Sequence, residues 1–464
     1  ATSLLLIPIE PSEAWKPTGA ENPTLRILGL LTVSIGLPYF VLSTTGPLIQ
    51  AWFARERSGQ VPYRLFALSN LGSMLALLAY PLAVEPLLPT RWQSWAWSGL
   101  FATFALACGL LAWRGRNGKP IVVGHHEKAE PLRLPQMLLW IALAACPSIL
   151  MVADTSFLTE NIAPIPLLWV APLALYLLSF ILSFEGHGWY QRRIYLPLLV
   201  ISLFVLAWLP TLGVSEMPIK LAMGLNLAAF FVACMVCHGE LARQQPHPSQ
   251  LTGYYLTLSI GGALGGFFVG VVAPYFFNSH YELSIGILLT GLVAAIAIIP
   301  RIAFPKPALR TATIALCALL LAGIGWLRVA DHQEEIGGAD ALLRNFYGTL
   351  TVSSNAEAGW RTMLHGQIIH GRQYTSPEKS QLPTTYYSPA GGAGKTLLAK
   401  TGQGPLRVGV VGIGVGTLAT YGKPGDYYRL YDIDPLVIDV AQKHFTFLSD
   451  TKAKTDIILG DARL

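Results

Sequence analysis

Ten long apolar stretches dominate this chain up to position 327: residues 27–53, 65–84, 93–113, 135–155, 162–184, 194–210, 217–237, 253–276, 283–300 and 311–327. A helix needs about 20 residues to cross a hydrocarbon layer about 30 Å thick. Inside that layer no water satisfies backbone N–H and C=O groups, so each stretch must close its own hydrogen bonds as a helix. The pattern therefore predicts a polytopic α-helical membrane bundle of about ten spans. Composition agrees, since 12% of the 464 residues are charged, about half the roughly 25% of a water-soluble domain.

The formal charge of +6 does not imply a nucleic-acid partner, because the basic residues occupy short loops and form no single stripe. They report topology instead. Alternate loops after the first span hold fourteen Lys and Arg, among them Arg55, Arg114, Arg192, Arg243 and Arg301, against four on the other side, Lys16, Arg26, Arg91 and Lys220. Basic loops stay in the cytoplasm. With an even number of spans, everything after about Arg328 is then expected on the non-cytoplasmic face of a bacterial inner membrane. The opening "ATSLLLIPIE" reads either as the tail of a span or as a processed terminus.

The chain divides into a polar N-terminal segment (1–26), the helical membrane domain (27–327), a linker with a small β sub-domain (328–400) and a nucleotide-binding segment (401–464). "FYGTLTVSSN" and "WRTMLHGQIIHG" alternate apolar and polar side chains between turn residues, which predicts a small antiparallel sheet. "LRVGVVGIGVGTLATYG" reads as a strand, a glycine turn and a helix. "YYRLYDIDP" is a second strand ending in carboxylates, "PLVIDVAQKHFTFL" an amphipathic helix, and "TDIILGDARL" a third strand. That βαβαβ order predicts a parallel, Rossmann-like sheet with its ligand at the carboxyl ends of the strands.

Gly412, Gly414 and Gly416 let the backbone turn sharply where a side chain would collide with a ligand. About 20 residues on, Asp432 and Asp434 stand where an acid accepts hydrogen bonds from ribose hydroxyls, and Asp461 ends the next strand, placed to meet a base. The alternative is that these are solvated loop acids.

"GIGVG", "YDIDP" and "GDAR" resemble the nucleotide-binding motifs of spermidine synthases and related class I methyltransferase-fold enzymes. "RNFYGTLTV", "LHGQIIHG" and "PTTYYSPAGG" look like that family's small sheet and its junction. "GLPYFVLSTTGPLIQAWF", "LFALSNLGSMLALLAYP", "APIPLLWVAPLALYLLSFILSF" and "CHGEL" resemble bacterial proteins in which a multi-span domain is fused to a spermidine-synthase-like domain. The resemblance implies that Asp432 holds the ribose of S-adenosylmethionine, its decarboxylated form or the thioether product, with Asp461 near the adenine amine. The acceptor half departs from the family pattern. Val415 stands at the aspartate of GGGDG, His365 and Ile369 at the Asp and Gln of LDG-x-x-Q, and Pro383 is the nearest match to the acid ahead of the conserved Tyr. His365, Tyr386 and Tyr387 remain as candidate substrate contacts. A protonated diamine needs carboxylates in place of its lost hydration, so putrescine is not the expected substrate. The family's catalytic aspartate follows a fourth strand, so either more chain is expected beyond Leu464 or the domain is degenerate.

Three functions follow as expectations: an adenosyl-donor-dependent aminopropyl or related alkyl transferase, a non-catalytic accessory subunit of a membrane complex, or a polyamine or cation transporter. No metal is expected. "CMVCH" (234–238) fits the spacing of c-type haem attachment, but the loop charges put that helix end in the cytoplasm, and helix packing is the expected role. Asp154, Glu160, His238 and Glu240 fall near span ends and are expected to reach the interface. Gly261, Gly262, Gly265 and Gly266 are expected to form a small-residue packing face.

Overall fold

The computed structural model describes residues 4, 7–9, 12–15, 23–56, 63–115, 132–161, 166–186, 188–212, 217–247, 250–366 and 368–462. Lys16, Arg57, Arg116, Lys119 and Lys128 of the loop-charge reading, and Gln367 of "LHGQII", lie outside them.

Among the described residues, ten helices are long and apolar enough to cross a membrane, and they fall on the ten sequence stretches. The first pairs α1 (Pro23–Leu31) with α2 (Leu37–Glu56) through a π-helical turn at Thr32–Gly36, and the second runs from α3 (Tyr63–Ala79) through a similar turn, Tyr80–Val84, into α4 (Glu85–Leu87). Then come α5 (Thr90–Gly115), α6 (Leu134–Asn161), α7 (Pro166–Glu185), α8 (Arg192–Trp208) and α9 (Ile219–Arg243). α10 (Leu251–Phe267) passes through a π-helical turn into α11 (Ala273–Phe276), followed by α12 (Tyr281–Ile298) and α13 (Pro307–Gly337).

The bundle core is built mainly by α6 to α10 and α12, where Trp140, Leu143, Phe230, Met235, Tyr254 and Ile287 are fully enclosed. α6 and α10 pack tightly. A Cβ at Gly261 or Gly265 would overlap the carbonyl oxygen of Ile141 or Ala145, so both glycines are needed for the approach. Gly262 and Gly266 are not so constrained: a Cβ at Gly262 would meet nothing within 4 Å, and one at Gly266 only Ser148 Oγ, at an ordinary contact distance of 3.8 Å. The four-glycine face therefore reduces to two. Leu100, Leu106 and Trp113 of α5 are mostly exposed, as lipid-facing side chains would be in a structure without a bilayer.

Three of the expected interface residues are instead enclosed: Asp154 is 1% exposed, and His238 and Glu240 are 0% exposed. Lipid and protein neighbours are equally apolar, so a span's sequence does not say which side faces its neighbours.

α13 is 31 residues long, about 46 Å at 1.5 Å per residue, and leads directly into the extramembrane part. There β1 (Ala341–Asn345), β2 (Gly348–Asn355), β3 (Trp360–His365) and β4 (Ile368–Tyr374) form an antiparallel meander in the order β1-β2-β3-β4. After α14 (Gly392–Lys400), β5 (Arg407–Val411), β6 (Tyr427–Asp432) and β7 (Lys454–Leu459) form a parallel sheet in the order β5-β6-β7, with α15 (Pro435–His444) connecting β6 to β7. Leu350, Val352 and Met363 of the meander pack with Val415, Val440 and Phe447 into one core.

One connection differs from expectation. The glycine turn opens not an α-helix but a five-residue 3-10 segment, Thr417–Tyr421. Gly422, Pro424 and Gly425 follow it, and these residues end a helix before it can lengthen.

Candidate functional site

The parallel register sets Val411 beside Tyr431 and Asp432 beside Leu459, so the three motif segments emerge at one sheet edge. Two further bonds extend the pairing past the strands, Gly412 N–H to Tyr431 O and Gly460 N–H to Asp432 O, both 2.8 Å.

Gly412, Gly414 and Gly416 all have left-handed φ values, +84°, +57° and +85°, which cost a side-chain-bearing residue about 1–2 kcal/mol each. Their surroundings differ. A Cβ at Gly416 would press on Leu448 and one at Gly414 would meet the His370 carbonyl at 2.9 Å, whereas at Gly412 nothing lies within 4 Å. Two glycines thus admit the protein's own chain, and Gly412 alone borders free space. Val415, 1% exposed, fills the place a Gly371 side chain would take and belongs to the core.

Asp432 is half-buried. Its Oδ2 accepts from Ile413 N–H (2.8 Å) and its Oδ1 from Asp434 N–H (3.0 Å), so the carboxylate braces the glycine turn. Each oxygen retains acceptor capacity. Asp434 is engaged differently: its Oδ1 caps α15 by accepting from Leu436 N–H (2.9 Å) and also accepts from Asn345 Nδ2 (2.5 Å), tying the parallel sheet to the meander. Burial raises the Asp434 pKa, opposed by those two hydrogen bonds. Asp461 lies two residues past β7 at the same edge.

His365 ends β3 with its ring in the space a side chain at Gly348 would need. His370 on β4 has its ring centroid 5.4 Å from that of His365. Burial, then the neighbouring His365, pulls the His370 pKa below its ordinary value, while Asp432 pulls the other way. His370 is not among the residues that the sequence motifs single out, although the repeated His-Gly pairs of "HGQIIHG" mark both positions. Tyr386 and Tyr387 sit in a 3-10 turn, their ring centroids 4.4 Å apart. The Tyr387 carbonyl accepts from the Tyr421 hydroxyl (2.6 Å), which joins this turn to the segment after the glycine loop. Thr385, at φ 55°, is the one non-glycine residue with positive φ among the described residues.

A second polar cluster joins the two parts of the chain. Arg344 on β1 makes a two-pronged contact with Glu282 at the start of α12, at 2.7 and 3.0 Å, with 6% and 0% of the two side chains exposed. His280 lies between Glu160 at the end of α6 (2.7 Å) and Glu282 (3.3 Å), and Thr349 reaches it at 3.0 Å. Burial disfavours charged His280, but the hydrogen bonds with Glu160 and Glu282 outweigh it and raise its pKa to about 9. A cavity of about 360 Å³ opens beside this cluster, bordered by Val152, Ser156, Glu160, Tyr275, Arg344 and Phe346.

Among the described residues, no group of three or more His, Cys, Asp or Glu side chains is placed to share a metal ion. Cys234, Cys237 and His238 of the "CMVCH" stretch lie fully buried inside α9. Comparison with protein-family models, with curated proteins and with solved structures gave no match to this chain.

Proposed function

We propose that this is a multi-span protein of a bacterial inner membrane whose Rossmann-like C-terminal domain binds an adenosyl ligand as a non-catalytic sensing or docking module, serving as an accessory subunit of a membrane complex. The observation that carries the reading is the division of labour in the glycine loop. Gly412 borders open space beside Asp432, as a nucleoside site requires, while Val415, at the position the synthase pattern gives to an amine-binding acid, is packed into the core. S-adenosylmethionine, its decarboxylated form and the thioether product share the ribose that Asp432 would hold. The loop charges support a non-cytoplasmic location for the domain, which is linked to the bundle through Arg344 and Glu282.

Calorimetry with the adenosyl thioether tests the binding. The wild-type chain should release heat on titration, and Asp432→Ala should not. No heat from the wild type would remove the reading. Membrane-impermeant labelling of Ser380→Cys in whole cells tests the location, and protection from the label would refute it.

One observation favours the transferase instead. His370, an imidazole whose pKa is pulled down chiefly by burial, is a side chain of the kind that takes a proton from an attacking amine. Incubation with decarboxylated S-adenosylmethionine and a panel of amines decides the matter: alkylated product lost in His370→Gln would establish the enzyme, and none would leave the sensing module.

A further inference from the structure

The cavity beside the Arg344 cluster, about 360 Å³ in volume, is built from the ends of three spans and the start of the meander. Thr24 opens the span Pro23–Gly46, Glu160 closes Leu134–Glu160, and Pro274 and Tyr275 fall among the last residues of Leu251–Phe276. The cavity therefore lies where hydrocarbon gives way to headgroups. Tyr275 and Phe276, 62% and 79% exposed, mark the same depth.

Val152, Ser156 and Glu160 follow one another at four-residue intervals, so one face of α6 forms a wall. Another wall comes from the π-helical turn Phe268–Val272, a widened turn of a kind that recurs at functional sites. There a Cβ on Gly270 would meet nothing within 4 Å.

The polar groups of these walls are only half engaged. Glu160 Oε2 meets His280, while Oε1 has no hydrogen-bond partner among the described residues. The Ser156 hydroxyl has none either, although that of its neighbour Thr155 bonds the Met151 carbonyl. Arg344 directs both terminal nitrogens to Glu282 and the Ser279 carbonyl, and its Nε–H is left over. The charges around the cavity already balance: Glu160 and Glu282 stand against Arg344 and His280, which the two carboxylates keep protonated at neutral pH. A bare cation or anion would add an unbalanced charge to this half-buried group, which is costly away from water. A zwitterion would not.

We propose that the cavity holds the headgroup of an ethanolamine phospholipid, with its ammonium on Glu160 and Ser156 and its phosphate on Arg344. A primary ammonium carries three N–H donors, enough for Glu160 Oε1 and Ser156 Oγ together. A choline headgroup carries none and would leave both acceptors unpaired. Val152, Val269 and Pro274 supply apolar lining for the glycerol end and the first methylenes. Arg344 and Phe346 follow from the meander and Glu160 from the bundle, so the lipid bridges the two parts. A water-soluble glycerophosphoethanolamine shares the headgroup chemistry, but the apolar lining at the membrane rim favours the lipid.

Native mass spectrometry of the full chain released from nanodiscs, made with equal amounts of ethanolamine and choline phospholipids of the same acyl chains, tests the site. The wild type should retain the ethanolamine lipid over the choline lipid by about tenfold or more, the scale of a hydrogen bond to a charged group. Glu160→Gln should lose that preference. Because this substitution also touches His280, Gly270→Leu serves as a second variant: it fills the cavity without altering a polar group, and it should lose the bound lipid too. Glycerophosphoethanolamine at the lipid's own concentration should not displace the lipid. No preference in the wild type, or a preference that survives in either variant, overturns the site. Displacement by the free headgroup overturns the lipid as its occupant.

Discussion

Replacing Arg344 by Met is the sharpest test of how the extramembrane sheets are held to the bundle. The guanidinium meets both oxygens of Glu282, whose side chain is 0% exposed, so the substitution leaves a buried carboxylate facing an apolar side chain. Removing one partner of a buried pair costs about 3–5 kcal/mol, chiefly because the surviving charge is stranded. His280 remains 3.3 Å from Glu282 and supplies part of the missing charge, which places the cost near the lower end, about 3 kcal/mol. At about 1.4 kcal/mol per factor of ten, the population of undocked molecules should rise about a hundredfold. Amide hydrogen exchange across β1 and β2 reads that opening directly. The double variant Arg344→Met with Glu282→Gln removes the stranded charge and should return most of the protection. Exchange in the single variant within about threefold of wild type, the scale of an ordinary surface substitution, would refute the account of the junction as an electrostatic clasp.

The same junction should depend on pH. The pKa of His280 rises from 6.5 to about 9 in the docked state, so its contribution is complete below about pH 6.5 and is lost as pH climbs through about 9. Exchange in β1 and β2, corrected for intrinsic rates, should increase over that interval in the wild type and much less in His280→Gln. In the glycine loop, Gly412→Ala should lower domain stability by about 1–2 kcal/mol through φ alone, while Gly416→Ala should lower it further because Leu448 must move. Calorimetric melting of the two variants would show equal losses if the Leu448 contact were unimportant. Asp434→Ala removes the cap of α15 and the acceptor of Asn345; a loss of about 1–2 kcal/mol in denaturant unfolding is expected, with a negligible change counting against the clip between the sheets.

The spans were legible because the thickness of hydrocarbon sets a length that no soluble fold imposes, and Leu134–Glu160 and Leu251–Phe276 match their apolar runs closely. The antiparallel meander was equally readable from the alternation in "GTLTVSSN", whose buried Leu350 and Val352 are two positions apart. What the sequence concealed was facing. Asp154 and Glu160 stand six positions apart near one helix end, yet the first is sealed among protein side chains and the second meets His280 at the rim. Nothing in a helix that is apolar on every side distinguishes them. At the candidate site, spacing placed Asp432 and Asp434 alike, whereas geometry separates a carboxylate bracing the loop from one consumed in capping. His370 is 62 positions from Asp432 and on a different sheet, and only the packing of the glycine loop against β4, at Gly414 and Val415, brings the two regions together.

α13 passes from the bundle into the meander as a single 31-residue helix, about 16 Å longer than the hydrocarbon is thick. An unbroken helix is a stiff rod, and only Gly338 to Asp340 separate its end from β1. Tilting of this rod to suit a thinner or thicker bilayer therefore swings the sheets with it, and the Arg344 clasp on α12 resists the swing. Bilayer thickness becomes a mechanical load on the extramembrane domain, felt first where a strand and a neighbouring helix share one ion pair.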